Sequence, residues 1–197
     1  MKKNRRKNNW VTNGFFEALE YLRSSKNYIW MAIALFFMSA LFAFLFSERF
    51  IFLEEILMDI LLKTEGLNGI ELIVFIFRNN FMSALFALIL GVFLSIIPVM
   101  NALLNGAVLG YVAERVGSTI GFFELWRLLP HGIFELPAIF IAIGLGIKLG
   151  MFVFIKAGKR KIEFWNRLDG SLKVMVFIIL PLLIMAAVIE GVLISLG

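Results

Sequence analysis

The stretch NNFMSALFALILGVFLSIIPVMNALLNGAVLGYVA, residues 79–113, decides how this chain folds. It contains no Lys, Arg, Asp or Glu. A transmembrane helix needs about 20 apolar residues, so the stretch is too long for one ordinary span and barely long enough for two. Pro98 interrupts it, and proline breaks the interior of a helix. We therefore expect a tight helical hairpin with spans at about 79–97 and 99–113, and one bent helix over these residues is the alternative.

The composition of the whole chain agrees with a membrane protein. Of its 197 residues 61% are hydrophobic, only 17% are charged and 22 are Phe, and the mean hydropathy is +0.92. A soluble domain has about 45–50% apolar residues, so an ordinary soluble enzyme, a disordered chain and a secreted disulfide module are excluded. The net charge of +5 and the pI near 9.6 come from charges at the edges of apolar segments, which is the pattern of membrane orientation and argues against nucleic-acid binding.

Three further apolar segments are long enough to cross a bilayer, at about 28–46, 132–155 and 174–196. The sequence therefore predicts an all-α, polytopic helical membrane protein with about five transmembrane helices in a single domain over 28–197. Pro137 would clash in the interior of a helix but fits well in its first turn. We accordingly expect the regular part of the fourth span to begin near Leu136, after an irregular or half-helical start at 129–135.

Two segments outside the spans are amphipathic. The segment 1–27 combines a basic tail, MKKNRRKNN, with an interfacial helix that carries Phe15 and Phe16 on its apolar face. A simple extension of the next helix is the alternative for residues 13–26. The segment 47–78 alternates apolar residues with acidic ones at helical spacing, and we expect it to lie on the membrane surface or to cap the bundle. Residues 156–173 are expected to form a basic loop.

Lys and Arg counts predict the orientation, because cytoplasmic loops are rich in both. The segment up to residue 27 holds seven and the 156–173 loop holds six, whereas 47–78 holds three and 114–128 holds two. With five spans, both basic regions fall on one side. We therefore expect a multi-pass protein of the cytoplasmic membrane with its N-terminus in the cytoplasm and its C-terminus outside.

Polar residues inside a membrane are costly and mark candidate functional sites. On the predicted topology, five of them can meet in one polar pocket in the outer half of the bilayer: Asn79, Asn80, His131, Glu135 and Glu190. The pocket would bind an ion, a substrate or a helix of a partner. A hydrogen-bonded cluster that fixes the helix register is the structural alternative, and a helix cap is the alternative for the two Asn residues.

Small residues four apart let helices approach closely. On this ground we expect Gly106, Gly110, Gly146 and Gly150 to serve helix packing, and we expect Asn105, beside Gly106, to join helices by hydrogen bonding. Such pairs would also permit a homo-oligomer. Lys148 lies in the inner half of the fourth span, where it would extend its amino group to the surface or pair with another group.

The inventory of reactive residues argues against catalysis. The chain has no Cys and one His, so thiolate catalysis, Cys-ligated zinc and multi-histidine metal sites are excluded. It has no HExxH motif and no serine nucleophile elbow. We therefore predict no catalytic residue, no metal and no cofactor.

Several of these motifs together resemble one family. They are FRNN at 77–80, Gly91, LLNGAVLG at 103–110, LPHGIFELPAIFIA at 129–142 and GLGIKLG at 144–150. In this order they are similar to the stage II sporulation protein M family of polytopic proteins of bacteria and archaea. The resemblance covers about residues 70–155, and LPHGxFELPA is its specific element. The family is best known from endospore formation, where a membrane protein anchors peptidoglycan-degrading partners. The resemblance implies no catalytic residue in this chain.

Two functions are compatible with the sequence. A non-enzymatic scaffold would recruit membrane or extracytoplasmic protein partners to the lipid bilayer, with 47–78 as the docking surface. A small transporter, channel or permease subunit is the alternative, because broken helices and intramembrane polar residues often build transport sites. The scaffold is the preferred interpretation.

Overall fold

The computed structural model describes residues 10–123 and 129–196, with side chains over the same ranges except 129–131 and 190–196. These residues form helices joined by short turns, and no strand occurs among them. The α-helices are α1 (Trp10–Ser24), α2 (Lys26–Leu45), α3 (Leu53–Thr64), α4 (Gly69–Ile89), α5 (Ile96–Thr119), α6 (Leu129–Gly150), α7 (Arg160–Val174) and α8 (Leu180–Leu196).

Five helical segments of the described chain are long and apolar enough to cross a membrane. They are Lys26–Leu45, Gly69–Val92, Ile96–Thr119, Gly132–Phe154 and Ala157–Ile189. The last one joins α7 to α8 through a π-helical turn, Met175–Ile179. The predicted fold class, an all-α protein with five spans, is confirmed.

The second span begins ten residues before the predicted position of 79. Asn68 caps α4, since its side chain accepts hydrogen bonds from the backbone N–H groups of Ile70 and Glu71, and the Glu71 carboxylate accepts one from the Asn68 N–H. This capping box fixes the start of the helix. Only α3 and the short turns beside it form the predicted surface segment, and residues 69–78 belong to the span.

The break inside the 79–113 stretch lies at 93–95 and not at Pro98. Leu94 and Ser95 have φ values of 54° and 63°, which end one helix and begin the next. Pro98 lies in the first turn of α5, where its missing N–H would have no helical partner in any case. The stretch therefore forms two helices, and α5 continues to Thr119.

Two further expectations differ from the structure. The fourth span is helical from Leu129, with the exposed Pro137 inside α6, so the expected irregular start at 129–135 is wrong. Transmembrane helices tolerate internal prolines because neighbouring groups satisfy the freed backbone. The expected loop at 156–173 is mostly α7, which packs along α1.

Contacts between the helices give their relative directions. Gly106 and Gly110 of α5 meet Phe36 and Ala40 of α2 in the same order, so these two helices are parallel. In α6, Gly146 and Gly150 meet Ala87 and Gly91 at the end of the second span in the same way.

Ile29 at the start of α2 meets Gly144 near the end of α6, which makes these two helices antiparallel. Arg167 of α7 donates a hydrogen bond to the Lys148 carbonyl, so α7 lies at the end of α6. Helix α8 follows α7 and packs along α4 and α6, so the chain returns through the bundle. The five spans therefore alternate in direction, as a chain that crosses repeatedly requires. Helix α3 lies at one end of the bundle, and α1 and α7 lie at the other.

Helix α1 is not an extension of α2. The Trp10 ring packs at a tilt beside the Phe177 ring, with centroids 6.0 Å apart, and Tyr21 lies against Gly170. Helix α1 therefore runs antiparallel along α7 and the π-helical turn, and the chain changes direction at Ser25.

Candidate functional site

A cavity of about 230 Å³ lies between α2, α5 and α6. Its walls are mostly apolar, and Glu135 and Asn105 are its polar residues. Glu135 lies about one helical turn into the candidate span Gly132–Phe154, so the cavity lies among the candidate spans in the α3 half of the bundle. The lining residues are Phe36, Asn105, Val108, Leu109, Val112, Gly132, Glu135, Leu136 and Ile139.

A chain of amide and hydroxyl groups connects this cavity to α4. The Asn105 Nδ2 donates to the Asn101 backbone carbonyl at 2.9 Å and to its Oδ1 at 3.2 Å. The Asn101 Nδ2 donates in turn to the Ser83 Oγ at 3.0 Å. Asn105, expected as a packing residue, contributes to the wall of the cavity and bonds to Asn101 within α5, and Asn101 makes the hydrogen bond between helices.

The structure does not unite the predicted polar pocket. Asn79 and Asn80 lie in the middle of α4, do not line the cavity of Glu135, and cannot cap a helix there. Asn79 is exposed and Asn80 is half-buried, and the Asn79 Nδ2 lies 3.4 Å from the Asn80 Oδ1. The side chains of His131 and Glu190 lie outside the described residues. Among the sequence candidates whose side chains the structure describes, Asn105 and Glu135 are thus the two that share a cavity.

The predicted packing glycines lie at close helix contacts. A Cβ on Gly106 or Gly110 would come within 2.2 Å or 1.9 Å of a backbone carbonyl oxygen of α2. A Cβ on Gly146 or Gly150 would come within 2.1 Å or 2.2 Å of carbonyl oxygens in the second span. Only glycine permits these approaches, so the frame around the cavity is held in a fixed register.

Helix α3 is attached to the bundle at one end only. Leu53 is fully buried, and the Glu54 Oε1 accepts hydrogen bonds from the Tyr111 hydroxyl at 2.5 Å and from Arg115 at 3.1 Å. Arg115 also donates to the Tyr111 oxygen at 3.0 Å. Leu57, one turn further on, packs half-buried against the same cluster, and the remaining apolar side chains of α3 are exposed, namely Ile56, Met58, Ile60, Leu61 and Leu62.

The opposite end of the bundle carries a polar cluster that the sequence did not reveal. The Lys148 Nζ donates to the Ser24 and Ser25 hydroxyls, each at 2.9 Å, and lies 3.8 Å from the centre of the Tyr21 ring. Burial raises the pKa of the Tyr21 phenol above its ordinary value. Lys148 thus pairs with α1, one of its two expected roles.

Next to this cluster, a groove of about 390 Å³ separates α1 from α7. Its central group is Lys173, whose Nζ lies 2.7 Å from a Glu17 oxygen and 2.5 Å from an Asp169 oxygen. Glu20 and Asn166 also line it. No group of three or more His, Cys, Asp or Glu in the described part of the chain is placed to hold a metal ion.

Arg78 is the second feature that the sequence reasoning missed. The sequence pattern places it in the segment before the second span, yet it is the tenth residue of the 24-residue candidate span Gly69–Val92 and is exposed. A charged residue near the centre of a transmembrane helix costs about 2.5–3.5 kcal/mol on insertion scales. The signal that could have revealed it is the sequence Asn68-Gly-Ile-Glu71, a capping-box pattern that places the helix start before Arg78.

Comparisons with known proteins agree with this description. A profile of the family described as Stage II sporulation protein M matches residues 24–193. An uncharacterized protein of Methanocaldococcus jannaschii is 30% identical over 131 residues, which are 63% of this chain and 56% of the relative. The chain therefore covers just over half the length of that relative. No solved structure matches the chain. Since the profile covers all five candidate spans, the chain belongs to the Stage II sporulation protein M family of multi-span membrane proteins.

Proposed function

We propose that this protein is a non-enzymatic scaffold of the cytoplasmic membrane that positions partner proteins. The observation that carries the proposal is the presentation of α3. Its first turn is fixed to the bundle by Leu53 and by the Glu54–Tyr111–Arg115 cluster, and the rest of the helix projects exposed apolar and acidic side chains. Such a helix can be bound by another protein without rearrangement of the bundle.

The bundle supplies the rigid frame that a scaffold needs. Glycine contacts hold α2 against α5 and α4 against α6 with backbones in direct contact. Close-packed interiors resist deformation, so a partner bound to α3 would be held at a defined position relative to the membrane.

The orientation proposed for this scaffold follows from the distribution of positive charge. The α1–α7 end carries the basic segments, whereas the α3 end holds few Lys and Arg residues. By the positive-inside rule the α1–α7 end faces the cytoplasm and α3 faces outside. The partners of α3 are accordingly extracytoplasmic proteins, and the family resemblance favours enzymes that remodel the cell wall or envelope.

Co-purification from the native host in a mild detergent tests this proposal. The test variant is Glu55→Gln/Asp59→Asn, which removes two exposed charges from α3 and leaves the Glu54 anchor intact. The matched control is Glu20→Gln/Glu163→Gln, which removes the same charge from the opposite end. We expect a specific extracytoplasmic partner that the α3 variant loses and the control retains. A partner set unchanged by the α3 variant would contradict the proposal.

Transport is the second candidate, and the cavity with Glu135 and Asn105 is the observation that favours it. A carboxyl and an amide in a mostly apolar cavity at membrane depth can bind a small polar solute or an ion. Tracer uptake by liposomes containing the full chain distinguishes the two functions. Uptake that Glu135→Gln reduces and Glu55→Gln leaves unchanged would favour transport over the scaffold.

A further inference from the structure

The exposed face of α4 carries one charged residue among apolar ones. Exposed positions recur every four residues along this helix, at Ile70, Val74, Arg78, Met82 and Phe86. Arg78 therefore points away from the bundle. It lies on the same face as apolar side chains that can contact lipid or another transmembrane helix. Asn79, the next residue, is exposed as well.

Arg78 lies deep in the span. At a rise of about 1.5 Å per residue it is about 14 Å from Gly69 and about 21 Å from Val92, the two ends of the segment. Side chains of a helix tilt toward its N-terminus, so the guanidinium extends toward the α3 end. The extended side chain brings the guanidinium closer to the membrane surface, but the group still lies below that surface.

Nothing in the described part of the chain neutralises this group. No described residue forms an ion pair or a hydrogen bond with Arg78. The neighbouring amides of Asn79 and Asn80 are joined only by a long contact of 3.4 Å. Charged residues within membranes almost always pair with an opposite charge or face a polar interior, and Arg78 does neither within the bundle.

We propose that the exposed face of α4 binds a transmembrane helix of a partner protein that carries a carboxylate at the level of Arg78. The guanidinium donates two parallel hydrogen bonds to a carboxylate, a pairing that is strong where water is excluded. The Asn79 amide adds a donor and an acceptor beside it. Val74, Met82 and Phe86 supply the apolar surface for the partner helix.

Charge complementarity favours this partner over a second copy of the chain. A two-fold symmetric contact through the same face would bring two Arg78 guanidinium groups together, since such an interface pairs identical patches. Like charges repel most strongly where the dielectric constant is low. A partner with an acidic side chain removes the charge that the bundle leaves exposed.

This inference deepens the proposed function, because it names the chemistry of a membrane partner, but it concerns a surface other than α3. A test with a designed peptide keeps the two apart. Failure of the peptide to bind leaves the α3 proposal standing, and loss of the α3 partner does not affect the peptide.

The experiment measures binding of a designed transmembrane peptide to the full chain in phosphatidylcholine vesicles. The chain has no Cys, so a donor dye can be attached at Glu65→Cys, just before α4, and an acceptor at the peptide end. The peptide is a Leu-Ala helix with one central Glu, compared with versions carrying Gln or Leu there. We expect the Glu peptide to bind the wild type at least about tenfold more tightly than the Leu peptide.

Variants identify the group responsible. Arg78→Leu should abolish the preference for Glu, Arg78→Lys should retain part of it, and the matched control Arg49→Leu should leave it unchanged. Arg78→Leu should also fold, because Arg78 contacts no described polar group, and an unaltered thermal unfolding midpoint checks this. Equal binding of the Glu and Leu peptides would overturn the proposal. So would energy transfer between two copies of the chain through α4, or a Glu preference that vanishes when anionic lipid is added.

Discussion

At the scale of single residues, the bundle depends on glycines whose replacement meets a backbone. Gly110 is the tightest of them, with a Cβ position 1.9 Å from the Ala40 carbonyl oxygen. A flexible side chain could move aside, whereas a backbone carbonyl in a helix cannot. Substitution there must therefore separate α2 from α5.

We expect Gly110→Ala to destabilise the protein by about 1–3 kcal/mol or more, as overpacked cores do. The denaturation midpoint in detergent measures this effect. Gly158→Ala is the control, because a Cβ at Gly158 has no neighbour within 4 Å. Equal midpoints for the two variants would show that α2 and α5 are not in the contact described.

A second residue-scale feature is the turn between α4 and α5. Leu94 has a φ of 54°, a left-handed conformation that costs a non-glycine residue about 1–2 kcal/mol. The neighbouring Phe93 has a φ of −80° and is exposed to a similar degree. We expect Leu94→Gly to be less destabilising than Phe93→Gly by about 1 kcal/mol, because glycine relieves strain only at Leu94. Unfolding of both variants in the same detergent gives the comparison, and the reverse order would contradict the strained turn.

At the scale of elements, α3 depends on very few contacts. Its carboxylate anchor, Glu54, is shared between the Tyr111 hydroxyl and Arg115. Removal of the hydroxyl leaves the carboxylate with one donor fewer in a partly buried place. Hydrogen bonds to charged groups contribute about 1.5–3 kcal/mol.

Tyr111→Phe should therefore release α3 while the bundle stays intact. We expect hydrogen exchange of the backbone amides at 53–57 to become at least about tenfold faster, which corresponds to about 1.4 kcal/mol. Glu55→Gln, on the exposed side of the same helix, should leave this exchange unchanged. Faster exchange along α5 as well would mean that Tyr111 supports the core rather than α3.

At the scale of the whole molecule, the sequence predicted what depends on local pattern and length. Apolar segments of about 20 residues predicted five spans, and glycines four apart marked residues that lie at helix contacts. The positions of the boundaries depended on weaker signals. The boundary was predicted at Pro98, although the turn is formed by Leu94 and Ser95, an apolar residue and a single serine inside a long apolar run.

The shared cavity of Asn105 and Glu135 lay beyond the reach of pattern analysis. These residues are 30 positions apart, on helices whose relative register follows from contacts with α2 and α4. The helical state of α7 also depends on tertiary contacts. Its charged sequence is typical of a loop, and the packing of α1 against it supports the helix. The place of Arg78 within a span, by contrast, follows from a local signal, the capping box at Asn68 and Glu71.

The alternation of the spans makes a prediction for the whole chain, and the absence of Cys makes it easy to test. Glu65 lies between α3 and α4, and Gly158 lies between α6 and α7, so the two positions are at opposite ends of the bundle. In intact cells, an impermeant maleimide should label Glu65→Cys, and it should label Gly158→Cys only after permeabilisation. Both substitutions lie at exposed sites, so the fold should tolerate them.

Each alternative result of this labelling has its own meaning. Reaction of both positions from outside would contradict the odd number of crossings between the two ends of the bundle. Labelling of Gly158→Cys alone would preserve the fold but invert it in the membrane, because α3 would then face the cytoplasm. The positive-inside rule argues against that inversion, since 13 Lys and Arg residues of the two basic regions would have to cross the membrane or remain outside it. If the protein were inverted in this way, α3 would meet cytoplasmic partners and the proposed extracytoplasmic role would fail. The proposed carboxylate-binding face of α4 would be unaffected.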